Sequence, residues 1–140
     1  MFNPTRDQAR RFFFDAWEKH KANRPLTPLE AMATDVMIAH PEYHRVLDDP
    51  ERNLDRDYLP EQGDINPFLH LQLHLAVEEQ LSIDQPPGIL GHYHRLLARD
   101  GDPMAAQHHI MECLAETIWQ AQRRGGGPDA AVYLDCLAGR

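Results

Sequence analysis

Nine histidines stand among 140 residues, and three of them fall where an imidazole can do more than cover a surface. His70, His74 and Glu78 recur every fourth residue in the run PFLHLQLHLAVEEQL (67–81). At about 100° per residue this spacing sets the three on one helical strip. Leu73 and Val77 flank the strip on one side, Leu71 and Leu75 on the other, and Gln72 and Glu79 form a separate polar sector. A helix that is apolar nearly all round is a buried one. Burying two imidazoles and a carboxylate is unfavourable unless they pair or bind something. Two histidines at i and i+4 stack on one face and can ligate one metal.

A second set lies at His108, His109 and Glu112. His108 and Glu112 border the apolar stripe Met104, Ile110, Met111, Leu114, Ile118 and Ala121, whereas His109 leans toward Glu116 and solvent. If the two helices are neighbours, His70, His74, His108 and Glu112 converge as a ligand set for Zn, Fe or Mn. Glu78 then stands beside the metal or serves as a fifth ligand, where it could act as a general base toward a metal-bound water. His40 continues the stripe of Val36 and Met37, and His44 follows Pro41; both are alternative ligands or hydrogen-bonded core residues. The competing expectation for the whole set is a metal-free buried polar network, because imidazoles also satisfy carboxylates and carbonyls. His20, His92 and His94 read as surface or border residues.

Other chemistries lack their signatures. His-Glu-x-x-His, a P-loop and Gly-x-Gly-x-x-Gly are absent. His40-Pro41-Glu42 has only the first half of a zinc-deaminase pattern. Ser82 is the sole serine and no Gly-x-Ser-x-Gly surrounds it, which disfavours a serine hydrolase. The net charge of −8 argues against a nucleic-acid or polybasic membrane module. No signal peptide is visible, and the most apolar stretch, 68–81, is too short and polar to span a bilayer. Cys113 and Cys136 form no Cys-x-x-Cys pair and read as free, buried small hydrophobes in a reducing cytoplasm.

The elements that must position these residues are all helical. Asn3-Pro4, Thr27-Pro28, Asn66-Pro67 and Asp102-Pro103 each set a good N-cap before a proline suited to the first helical position. Thr27 to Glu30 also forms a capping box. The apolar stripes Ala9/Phe12/Phe13/Ala16/Trp17 and Leu29/Met32/Ala33/Val36/Met37 follow the first two starts. Pro41 breaks or kinks the second helix, with a short continuation over 41–47, and further helices are expected over 67–81, 87–98, 103–124 and 128–137, with Gly125 stopping the longest. No segment alternates with period two. The expected fold is all-α, a single-domain (1–140) irregular bundle of five or six helices. Residues 48–66 form one long acidic connection.

The stretches RDQARRFFFDAW (6–17), HPEYH (40–44), NPFLHLQLHLAVEEQ (66–80), LSIDQPPG (81–88) and MECLAETIWQAQR (111–123) resemble a bacterial family catalogued as a domain of unknown function, number 1841. The resemblance covers nearly the whole chain. It implies a small cytoplasmic protein and assigns no catalytic residue. Two functions are therefore expected. One is a metal-binding His/carboxylate site between two helices. The other is a non-enzymatic interaction module, in which Phe14 and the acidic 48–64 stretch engage a protein partner or a second copy while the histidines stay structural.

Overall fold

A computed structural model describes residues 5–58 and 66–140. Its elements run α1 (Arg6–Lys21), α2 (Pro28–Ile38), a 3₁₀ turn (Pro41–Tyr43), α3 (His44–Leu47), α4 (Pro50–Asn53), α5 (Pro67–Ile83), α6 (Ile89–Asp100), α7 (Pro103–Arg124) and α8 (Ala130–Ala138). The all-α class holds. The expected count of five or six is too low, because eight α-helices occur among the described residues. Prolines are the reason. Pro41 starts the 3₁₀ turn that leads into α3 and Pro50 starts α4, so short pieces follow α2 over residues 41–53. Asn3-Pro4, Glu61 and Asp64 lie outside the described residues.

Contacts divide the chain into two compact units, Met1–Gln72 and Leu73–Arg140, with the division inside α5. In the first unit Thr5 caps α1 and exchanges hydrogen bonds with Gln8, and Thr27 does the same for α2 with Glu30. Ala9, Phe13, Phe14, Ala16 and Trp17 of α1 are buried, as are Ala33, Val36 and Met37 of α2. Phe14 corrects an expectation: it is not an exposed interaction residue but is buried, with its ring 5.4 Å from that of Phe68. Lys19 joins Glu30 across α1 and α2 at 2.8 Å. That ammonium and the Thr27 backbone N–H hold the Glu30 carboxyl below the usual range.

Arg10 is a second buried charge of this unit, in addition to Glu30. It lies with Phe13, Phe14 and Trp17 at helical spacing and donates to the carbonyls of Asn53, Leu54 and Arg56. Its guanidinium also covers the Phe68 ring at 4.8 Å. One fork therefore ties the C-terminal end of α4 and the chain after it to α1. The Trp17 indole donates to Asp48 at 2.8 Å and its ring faces His44 at 4.6 Å. Lys21 and this indole hold the Asp48 carboxyl below its usual value.

The second unit packs α6, α7 and α8 around Val77, Ile89, Leu96, Ala106, Ile110, Leu114, Tyr133 and Leu137. Asp102 caps α7, and Gly125, at φ 77°, ends it in the left-handed region where a glycine is needed. The Tyr133 hydroxyl donates to Gln80, and burial pushes its pKa up. Trp119 is 50% exposed, with the Arg123 guanidinium 4.6 Å from its ring. Among the described residues no helix is long and apolar enough to cross a membrane.

Cys113 and Cys136 are not free, as expected from sequence, but joined in a disulfide between α7 and α8. Sequence spacing carried no sign of the pairing, because only the return of α8 along α7 brings the two Cα atoms to 5.7 Å. Closing a loop over 23 positions restricts the unfolded chain and stabilises the fold by about 3 kcal/mol. Reduction is expected to lower the melting temperature by on the order of 10 °C. Thermal melts with and without a phosphine reductant check this, with Cys113→Ala/Cys136→Ala as the irreversible equivalent. A shift within about 2 °C would mean the bond restrains nothing that unfolding needs.

Candidate metal centre

α5 is the element on which the histidines assemble. It runs unbroken from Pro67 to Ile83, so His70 and His74 stand one turn apart on one face. Asn66 accepts hydrogen bonds from the Phe68 and Leu69 backbone N–H groups and fixes the helix start. Leu71, Val77 and His74 are fully buried. The expected polar sector is present as well, with Gln72 and Glu79 exposed.

Within the first unit His70 meets His40, Nε2 to Nε2, at 3.2 Å. His40 sits just beyond α2, where the chain turns into the 3₁₀ segment, and is 4% exposed. Its Nδ1 lies 2.7 Å from the Val36 carbonyl. That carbonyl can only accept, so Nδ1 carries the proton and the Nε2 of the neutral ring presents its lone pair to His70. Tyr43 stacks on the His40 ring at 5.5 Å and meets His70 edge-on at 5.9 Å. Burial raises the pKa of the Tyr43 phenol.

Within the second unit His74 meets His108 of α7, again Nε2 to Nε2 at 3.2 Å. His74 Nδ1 lies 2.9 Å from Gln107 Oε1. The Gln107 Nε2 donates in turn to Glu78. A carboxylate accepts, so the amide must turn its nitrogen to Glu78 and its oxygen to His74. His74 therefore also donates from Nδ1 and keeps an Nε2 lone pair. Both units thus hold an imidazole pair in which one ring's tautomer is set by a partner on its far side.

Residues 5–139 match the family described as a domain of unknown function, DUF1841. The chain belongs to the DUF1841 family. No curated protein and no solved structure matches it. The match spans every described helix of this DUF1841 chain and both imidazole pairs.

The other expected site residues are placed as follows in the DUF1841 structure. Glu112 is exposed on α7, and its carboxylate pairs with Arg140. Glu78 reaches His74 only through Gln107. His44 Nε2 donates to the Met37 carbonyl and its ring lies against Trp17, so it closes the end of α2. His109 pairs with Asp100 at 3.4 Å. Sequence reasoning missed Gln107. A signal was available, because Gln107 precedes Ile110, Met111 and Leu114 by three, four and seven positions and so interrupts an apolar face with an amide.

Proposed function

We propose that this protein binds a divalent transition metal through its paired imidazoles, His40 with His70 and His74 with His108. The observation that carries the proposal is that each unit sets two imidazoles face to face, His40 with His70 and His74 with His108, Nε2 to Nε2 at 3.2 Å. Several features support it. His70 and His74 hang from consecutive turns of one helix, and His40 and His74 have their protons drawn away from Nε2 by Val36 and Gln107. Ligating histidines characteristically donate their other ring N–H in this way. The donors are imidazole nitrogens with no carboxylate or thiolate among them, which suits Zn or Fe and disfavours Mn. The two imidazole hydrogen bonds at 3.2 Å favour, as the second reading, a metal-free polar network. The Cys113–Cys136 bond favours an oxidising setting over the cytoplasm expected from the cysteine count.

Elemental analysis of tag-free protein separates the two readings. Near-stoichiometric Zn or Fe, together with a melting temperature that rises on adding metal, is the expected result. Less than about a tenth of an equivalent with no thermal gain would leave the imidazole network as the function of the cluster.

A further inference from the structure

We propose that Gln107 and Glu78 are positioning residues that make His74 the strongest donor of the metal centre. The inference rests on the metal-binding reading above. Gln107 is 3% exposed, and both ends of its amide are engaged, by His74 at 2.9 Å and by the Glu78 carboxylate. A methionine or leucine would fill the same volume without an amide that must be satisfied in a buried position. The amide instead passes the pull of a carboxylate to the Nδ1 proton of His74. Pulling on that proton raises electron density at Nε2, the atom that faces His108. The Nδ1 of His40 instead meets a neutral backbone carbonyl, that of Val36, at 2.7 Å. Neutral imidazoles bring no negative charge to a doubly charged ion. The Glu78 carboxylate is connected to the set through a single neutral link, close enough to offset charge without occupying a coordination position.

The chain of donors also has a direction that can be reversed. Glu78→Gln keeps an acceptor for the Gln107 amide and removes only the charge. Gln107→Met removes the acceptor for His74. Gln107→Glu alone sets two carboxylates against each other. Combined with Glu78→Gln it restores an unbroken chain, with the charge moved one link closer to His74.

The test measures Zn²⁺ affinity by chelator competition and the Co²⁺ ligand-field spectrum for the full chain and these four variants. Gln107→Met is expected to weaken Zn²⁺ by roughly 10–100-fold and to shift the Co²⁺ bands. Glu78→Gln is expected to fall between it and the wild type. Gln107→Glu is expected to bind weakly, and Glu78→Gln/Gln107→Glu to recover at least the wild-type affinity. A structural role in packing alone would leave the cobalt bands in place and would not make the charge-moved pair the tighter binder. If Gln107→Met destabilises the fold too far, the comparison of Gln107→Glu with the double variant stands without it. A wild-type protein that takes up no Zn²⁺ overturns this proposal together with the metal reading. A wild type that binds while the variants stay flat in affinity and spectrum overturns the positioning role alone.

Discussion

Replacing His74 with alanine is expected to abolish the metal-dependent gain in stability. For the wild type at metal one hundred times above its dissociation constant, that gain is about 2.7 kcal/mol. His74 is fully buried and meets both Gln107 and His108. Its loss removes a ligand and also strands the Gln107 carbonyl oxygen, which costs about 1–3 kcal/mol in the metal-free protein. The two effects separate by melting each protein in chelator and then in added Zn²⁺. The chelated variant should melt below the chelated wild type, and only the wild type should rise with metal. His94→Ala, an exposed position on α6, should behave as wild type in both conditions. A His74→Ala protein that keeps the full increment would place the metal elsewhere.

The largest packing effect is expected at Phe68, in the first turn of α5. The residue is 1% exposed, its ring meets Phe14 edge-on at 5.4 Å, and the Arg10 guanidinium lies 4.8 Å above it. Phe68→Ala opens a cavity and removes the apolar face against which a buried cation is seated. The expected loss is about 3–5 kcal/mol. Urea unfolding reads it as a lower midpoint with an unchanged slope. Leu69→Ala, one position along but 54% exposed, should change stability by less than about 0.5 kcal/mol. A Phe68→Ala loss below about 1.5 kcal/mol would show that the ring is not the anchor of this end of α5.

The parts legible in the sequence are those governed by local rules. α7 begins at Pro103 after its Asp102 cap and ends before Gly125, as its punctuation requires. The α2 capping box forms as read, with Thr27 and Glu30 exchanging hydrogen bonds. His70 and His74 were legible together because a single helix fixes their separation. What was not legible depended on neighbours in space. Glu112 sits on the border of the α7 stripe, and a border position faces inward or outward according to what packs beside it; here Arg140 draws it outward. His40 needed the direction of the chain at Pro41, where periodicity is interrupted. Phe14 lies one step off the apolar stripe read for α1, yet Phe68 covers it. The cysteine pairing required the return path of α8, on which spacing is silent.

The two tryptophans differ in a way that carries an optical consequence. Trp17 lies among residues 5–72, shielded, with its indole on a carboxylate and its ring against that of His44. Trp119 lies among residues 73–140, half in water beside Arg123. Their fluorescence should therefore resolve into a blue-shifted component insensitive to aqueous quenchers and a red-shifted one that acrylamide extinguishes first. A Trp119→Phe protein leaves an emitter that reports the first unit alone, and Trp17→Phe one that reports the second. Following each colour through denaturation would tell whether the halves that share α5 melt as one body or in sequence.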